Sequence, residues 1–271
     1  MRKDSGVVHN SWNSLRQHTD ARIGLGRTGV SLPTREQLAF QLDHAKARDA
    51  VHLPLDENLL QHQLMDNGFE VYRLKSRVKH RQEYLQRPDL GRRLCHDSVA
   101  FLQKKALETT QPDTLIIIAD GLSSTAIASH AVAMVNRIAA GLNAQGFRAG
   151  PICLVSQGRV AIADEIGELL KATSVILLIG ERPGLSSPDS LGIYYTFAPK
   201  VGLTDAYRNC ISNIRPQGMC YDEATQKLMF LFTESHRRKL SGVSLKDTSN
   251  TDYQHQLNHT QRNFILPNTT S

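Results

Sequence analysis

Three short runs of consecutive apolar residues, rich in Val and Ile, constrain the fold of this 271-residue chain more than any other feature. The runs are DTLIIIAD at 113–120, PICLVS at 151–156 and SVILLIG at 174–180, and GIYYTF at 192–197 is typical of a fourth strand. Runs without polar alternation are typical of strands buried on both faces of a sheet. Helical stretches follow the first two runs. The pattern therefore predicts an α/β protein, with parallel βαβ units forming one sheet that carries helices on both faces.

The composition changes along the chain and predicts four parts. A helical pattern precedes the apolar runs, and the residues after Lys246 are rich in Asn, Gln and Thr without an apolar period. The expected parts are a flexible N terminus (1–19), a mainly helical region (20–107), the α/β domain (108–246) and a polar C-terminal tail (247–271).

Capping residues predict where the helices of the second part begin and end. Thr34 and Gln37 have the spacing of a capping box. Asp56 can cap a second helix, which Asn67–Gly68 should end, and Asp89 can cap a third.

Two further patterns lie in the same part of the chain. Leu38, Leu42 and Ala45 fall on one side of the first predicted helix. The segment FEVYRL at 69–74 alternates weakly and is compatible with a short strand.

The segment GLGRTG at 24–29 matches the dinucleotide-binding pattern GxGxxG letter for letter. That site requires a buried strand before the first glycine and a helix directly after the last one. The preceding residues, RQHTDARI, do not form a buried strand, and the next predicted helix follows Pro33. We therefore expect a turn with several positive-φ glycines.

The charge and cysteine patterns exclude several classes of protein. The net charge is +6, and eight Lys and Arg residues lie between Arg73 and Arg93. This basic run fits a solvated face or a subunit contact better than a polyanion site, since acidic residues interrupt it and aromatic residues are few. We therefore expect no nucleic acid and, because the apolar runs are short, no membrane as a partner. The four Cys residues are widely spaced, which suits the cytoplasm.

The carboxyl ends of the predicted strands are where an open parallel sheet binds ligands. They carry Asp120-Gly121, then Ser156–Val160, then Gly180–Gly184. Glu181 can accept hydrogen bonds from a ligand, or it can pair with Arg182 or Arg159. Val160 can simply begin a helix, and Cys210 can be a buried small hydrophobic residue. No nucleophile–base pair stands out, so we do not expect the chain to be a self-sufficient hydrolase.

Five long motifs resemble the small (light) subunit of ethanolamine ammonia-lyase, over roughly residues 20–247. They are ARIGLGRTGVSLPTREQLAFQLDHAKARDAVH, YLQRPDLGRRL, VSQGRVAIADEIGE, GERPGLSSPDSLGIYYTFAPKVGLTDAYRNCISNIRPQGM and RRKLSGVSLKD. Motifs of this length rarely arise by chance.

The resemblance implies a function that the residues alone do not give. The family's enzyme is an ammonia-lyase that uses adenosylcobalamin to convert ethanolamine to acetaldehyde and ammonia by a radical rearrangement. Its catalytic large subunit is a TIM barrel, its small subunit is Rossmann-like, and cobalamin lies between the two. Val160, Glu181 and Cys210 match the family's small-subunit contacts with the cofactor. The resemblance implies a hetero-oligomer of paired heterodimers, free in the cytoplasm or inside a bacterial microcompartment.

Two other functions remain open from the residues themselves. A stand-alone enzyme that uses the βαβ region should bind NAD or ATP. A polyanion-binding module should bind through the run Arg73–Arg93, with an affinity that falls steeply as salt rises.

Overall fold

A six-stranded mixed sheet forms the centre of the protein in a computed structural model that describes residues 6–108 and 110–246. The strands are Val7–Val8 (β1), Arg27–Thr28 (β2), Val71–Lys75 (β3), Thr114–Ala119 (β4), Ile152–Ser156 (β5), Ser174–Gly180 (β6), Leu191–Phe197 (β7) and Arg208–Ile214 (β8). The α-helices are Thr34–His52 (α1), Glu57–Asp66 (α2), Arg81–Gln86 (α3), His96–Glu108 (α4), Ser124–Ala144 (α5), Ile162–Leu169 (α6) and Tyr221–Arg238 (α7). Short 3₁₀ helices span Ser11–Gln17, Leu90–Arg92, Asp205–Tyr207 and Gly242–Ser244.

The sheet has the order β3-β5-β4-β6-β7-β8, which confirms the α/β class. Strands β3, β5, β4 and β6 are parallel to one another, while β7 pairs antiparallel with both β6 and β8. GIYYTF does form a strand, as expected, but this strand is antiparallel to both of its neighbours. Its connection to β6 is residues 181–190, which contain no helix and are too short for a parallel crossover.

The predicted polar tail (247–271) lies outside the described residues.

The weakly alternating segment FEVYRL does form a strand, and that strand belongs to the central sheet. Residues of β3 pair in parallel register with β5, from Val71 opposite Ile152 to Lys75 opposite Ser156. The region 20–107 thus contributes helices α1–α4 and also the edge strand of the sheet. Its boundary with the region 108–246 stays a prediction.

Helices cover β4, β5 and β6 on both faces, as their unbroken apolar runs predict. In β4, Ile116 and Ile118 pack on one side with residues of α2, α5 and α7. Leu115 and Ile117 pack on the other side with residues of α4 and α6. All six residues of β4 are buried, which explains why its sequence does not alternate.

The predicted helix boundaries are partly right. The Asp56 side chain accepts a hydrogen bond from the backbone N–H of Leu59 at 2.9 Å. Helix α2 ends at Asp66, Asn67 is its C-cap, and Gly68 follows with φ +84°. The capping box is wrong, because Thr34 is already the first residue of α1 and Pro33 occupies the capping position without a side-chain cap.

Asp89 does not cap a long helix either. It precedes the 3₁₀ helix Leu90–Arg92, and α4 begins only at His96. The Asp89 carboxylate instead pairs with the Arg87 guanidinium at 2.7 Å.

The GLGRTG segment is a turn, as expected. Gly24, Gly26 and Gly29 all have positive φ, and no strand runs into the first of them. A Cβ on Gly26 would lie 2.6 Å from the carbonyl oxygen of Val8. Gly24 and Gly26 therefore allow close packing of the chain on itself, whereas Gly29 has open space around it. Among the described residues, no helix is long and apolar enough to cross a membrane.

The two cap positions give a matched test of helix stability. Asp56→Ala should lower the free energy of unfolding by about 1 kcal/mol, because the N–H of Leu59 loses its acceptor. Thr34→Ala should change it by less than about 0.5 kcal/mol, since this side chain caps nothing. Urea unfolding of both variants measures the difference, and an equal loss for the two would contradict the assignment.

Candidate functional site

An open cleft of about 680 Å³ lies on one face of the sheet, beside the start of α6 and the residues that follow β5. Arg159 and Val160, which follow β5, line one side of it. Tyr194 of β7 and the segment 201–205 line the other side. This volume lies in the range of pockets that bind small molecules and cofactors.

The cleft exists because one face of β7 and β8 lacks a helix. On the face towards α7, Ile193 and Ile211 are buried in the core. On the opposite face Tyr194 is half-buried and Cys210 is exposed. Because side chains alternate along a strand, Tyr194 and Cys210 share this uncovered face.

Tyr194 links the three residues that the sequence analysis proposed. It lines the cleft together with Val160, and it lies directly opposite Cys210 in the β7–β8 register. Its hydroxyl interacts with the Cys210 thiol and with the charge of Glu181. The structure therefore brings Cys210 and the charge of Glu181 near Tyr194, a side chain that the sequence analysis did not identify. Of the three proposed residues, only Val160 lines the cleft together with Tyr194.

The Glu181 carboxylate is held in place by two donors. Its Oε2 accepts hydrogen bonds from the Ser190 hydroxyl and, at 3.1 Å, from the backbone N–H of Asn213. The described residues form no ion pair between Glu181 and Arg182 or Arg159, so that alternative is not observed. No described residue donates a hydrogen bond to Oε1 of Glu181, which leaves this oxygen able to accept one from a ligand.

Buried polar contacts hold the loop that carries Val160. The backbone N–H of Gly158 donates to Asp120 at 3.2 Å, and the Tyr84 hydroxyl donates to the Gly158 carbonyl at 3.0 Å. Arg81 pairs with the Asp120 carboxylate at 3.3 Å. Burial raises the pKa of Asp120 to about 6, although the charge of Arg81 opposes the shift.

A buried ion pair fixes β8 against α6. Arg208, at the start of β8, donates to the Asp164 carboxylate of α6, and both side chains are almost fully buried. Burial raises the pKa of Asp164 to about 6, with Arg208 opposing the shift. This contact sets the position of Cys210, two residues further along the strand.

The reactive groups on the uncovered face are kept neutral. Desolvation raises the pKa of the Cys210 thiol, and it raises the pKa of the Tyr194 hydroxyl. A thiol with a raised pKa is a poor nucleophile at neutral pH. Cys210 and Tyr194 are therefore suited to packing and hydrogen bonding against a ligand.

Four of the eight cations of the basic run Arg73–Arg93 form ion pairs within the described chain. The pairs are Arg73 with Glu57 at 2.9 Å, Arg81 with Asp120 at 3.3 Å, Arg87 with Asp89 at 2.7 Å and Arg93 with Glu165 at 2.8 Å. This pairing favours the structural interpretation of the run over a polyanion site.

Sequence reasoning missed Tyr194 and the pair of Asp164 with Arg208. Strand alternation in GIYYTF could have shown that Tyr194 and Tyr195 point to opposite faces. The ion pair joins residues 44 positions apart and has no local signal. Among the described residues, no group of three His, Cys, Asp or Glu side chains could hold a metal ion.

The fold and the cleft define an α/β protein that presents a side-chain cluster on one face of a mixed sheet. The model of the ethanolamine ammonia-lyase light chain family (EutC) matches residues 9–246. The chain therefore belongs to the ethanolamine ammonia-lyase light chain family, whose members are subunits of a lyase.

Several relatives resemble the chain along most of its length. A protein of Ralstonia nicotianae is 53% identical over 96% of both chains, and one of Pseudomonas putida is 56% identical over 88% of both. A protein of Azotobacter vinelandii is 54% identical over 90% of both. All three are named ethanolamine ammonia-lyase small subunit.

The raised pKa of Asp120 predicts a pH-dependent stability. The ordinary pKa is 3.8 and the folded value is about 6, so between them the folded protein binds more protons than the unfolded chain. The contribution of Asp120 to stability is thus present at low pH and falls as pH rises from about 4 to 6. Asp120→Asn cannot titrate. The free energy of unfolding of the wild type minus that of Asp120→Asn should decline by up to about 3 kcal/mol between pH 4 and 7.

Urea unfolding at several pH values measures this difference. The matched control is Asp89→Asn, because the neighbouring Arg87 lowers the pKa of that exposed carboxyl. The free energy of unfolding of the wild type minus that of Asp89→Asn should not decline above pH 4.5. A constant difference for Asp120→Asn over the whole range would show that its carboxyl is not destabilised by burial.

Proposed function

We propose that this chain is the small subunit of adenosylcobalamin-dependent ethanolamine ammonia-lyase, which converts ethanolamine to acetaldehyde and ammonia. In this proposal the chain completes a cofactor pocket with the catalytic large subunit. The observation that carries it is the position of Tyr194 on an uncovered sheet face, opposite Cys210, near the charge of Glu181 and beside the cleft that Val160 lines. That arrangement occurs in a chain whose relatives are named small subunits of this enzyme.

The residues on this face fit the chemistry of a corrin. A corrin is a broad, flat macrocycle with amide side chains around its edge, so it needs apolar contact and hydrogen-bond acceptors. The Tyr194 ring and Val160 supply apolar surface beside the cleft. Oε1 of Glu181 is an acceptor for an amide N–H, and the charge of a carboxylate strengthens such a bond.

Binding and orientation are the tasks left to this chain. Adenosylcobalamin supplies the radical chemistry when bound, and the protein supplies position and shelter from water. Glu181 is oriented by Ser190 and Asn213, so it can hold an amide in a fixed place. Cys210 and Tyr194 remain neutral and can pack without a desolvated charge. None of these roles requires a catalytic acid or base.

The proposal includes a Rossmann-like domain at 108–246 as the part that contacts the cofactor, preceded by a mainly helical region at 20–107. It also includes a hetero-oligomer of paired heterodimers, located in the cytoplasm or in a bacterial microcompartment. The name small subunit, which the relatives carry, supports a larger partner chain.

Reconstitution tests the function directly. The large subunit of ethanolamine ammonia-lyase from the same organism is assayed for acetaldehyde formation from ethanolamine and adenosylcobalamin, with and without this chain. We expect activity only when both chains are present. Full activity of the large subunit alone, or none with both chains and a large subunit proven active with another small subunit, would refute the proposal.

Glu181→Gln should weaken cofactor binding by the assembled enzyme. The substitution keeps the size of the side chain but removes the charge, and a hydrogen bond to a charged group contributes about 1.5–3 kcal/mol. The dissociation constant for adenosylcobalamin should therefore rise about tenfold or more, as measured by absorbance titration.

Two control variants accompany Glu181→Gln. Ser190→Ala removes one of the donors that orient Glu181, and it should raise the dissociation constant by a smaller factor. Glu234→Gln changes a carboxylate on α7, behind the opposite face of the sheet, and should leave cofactor binding unchanged. Equal dissociation constants for Glu181→Gln and the wild type would remove Glu181 from the site.

A further inference from the structure

Exposed apolar side chains are concentrated in the first quarter of the described chain. Sixteen large hydrophobic residues are exposed among the described residues, and eleven of them lie between Val8 and Met65. The eleven are Val8, Trp12, Ile23, Val30, Leu32, Leu38, Phe40, Leu42, Leu53, Leu59 and Met65. Exposed apolar residues scattered singly are normal, but a concentration of them marks an interaction surface.

Helix α1 carries the best-defined part of this surface. Leu38 and Leu42 are 59% and 56% exposed, and their spacing of four places them side by side on the helix. Ala50 is the one buried residue of α1 and marks the side that faces the core. At about 100° per residue, Ala50 lies about 80–120° around the helix from the two leucines. The predicted apolar stripe is therefore turned away from the core of this chain.

The stripe has a basic rim. Arg35, Lys46 and Arg48 lie within about 80° of Leu38 around the helix. No described residue forms an ion pair with any of these three cations. Asp49 is the one acidic side chain that α1 carries within the stripe.

The other acidic side chains of α1 lie on a different side of the helix. Glu36 pairs with Arg16 at 3.2 Å, and Asp43 pairs with Arg22 at 2.6 Å. Both carboxylates are thus neutralised by the segment that precedes α1. The charged side chains around the apolar stripe therefore carry a net positive charge.

The end of α1 is attached to the carboxyl edge of the sheet, next to the loop that carries Val160. The Ser124 hydroxyl donates to the Leu53 carbonyl at 2.6 Å, directly after α1. Arg81 donates to the Val51 carbonyl at 2.6 Å and also pairs with Asp120 at the end of β4. A partner that covers this edge can therefore contact α1 as well.

We propose that the stripe of Leu38 and Leu42, with its basic rim, docks on an apolar surface with an acidic rim on the large subunit. This inference rests on the proposed function. A second copy of this chain is a poorer occupant, because two-fold pairing of α1 would bring the two basic rims together. The acidic rim of the partner compensates Arg35 and Arg48.

Co-purification with a tagged large subunit tests the docking surface, using the full chain. The double variant Leu38→Glu with Leu42→Glu places two negative charges on the proposed docking surface. The helix should remain intact, because Glu favours helix formation. We expect the amount of this chain that co-purifies with the tagged large subunit to fall at least tenfold for the double variant. The matched control is Leu107→Glu, since Leu107 of α4 is 89% exposed but lies outside the patch. It should be retained like the wild type.

A second variant keeps the test independent of folding. Arg35→Glu combined with Arg48→Glu leaves the leucines in place and should weaken retention most strongly at low salt. Melting temperatures of the full chains should match the wild type for all variants, because the altered side chains are exposed.

The outcomes separate this inference from the function. Failure of the wild type to bind the large subunit would overturn the proposed function and the docking surface together. Wild-type binding with full retention of both double variants would overturn the docking surface alone. A wild-type dimer in sedimentation that Leu38→Glu with Leu42→Glu dissociates would assign the stripe to a second copy and overturn the proposal.

Discussion

The site depends on unequal burial of the two faces of the sheet. Helices cover β4 and β6 on both sides, but β7 and β8 are covered only towards α7. The ten residues that join β6 to β7 are too few for a crossover helix, and α6, with eight residues, is only about 12 Å long. The uncovered face therefore follows from the connection itself, and it exposes Tyr194 and Cys210 to a ligand.

Two buried ion pairs hold the edges of this face in register. Arg81 with Asp120 fixes the loop before α6, and Arg208 with Asp164 fixes β8. Desolvation raises the pKa of both carboxyls, so each pair costs stability that hydrophobic packing elsewhere must offset. Such pairs are weak contributors to stability, but they define the position of the groups they join. The first pair fixes the loop that carries Val160, whereas hydrogen bonds from Ser190 and Asn213 fix Glu181.

The sequence predicts the buried centre of the fold better than its edge. Strands β4, β5 and β6 follow from unbroken apolar runs, whereas β8 was not predicted, since RNCISNI is covered on one face and partly polar. Asp56 was recognised as a cap because its partner is three residues away. Tyr194 was missed because its position opposite Cys210 depends on the register between β7 and β8. Glu181 was identified from its position at the end of an apolar strand, but the cofactor roles of Glu181 and Cys210 came from the family resemblance.

Hydrogen–deuterium exchange of the full chain tests the central claim most directly. The chain is compared alone, with the large subunit, and with the large subunit and adenosylcobalamin. We predict that the large subunit slows exchange in α1, and that adenosylcobalamin further slows exchange at 157–160 and in β8, which border the uncovered face. Unchanged exchange at 157–160 and in β8 when adenosylcobalamin is bound to the active complex would contradict the account.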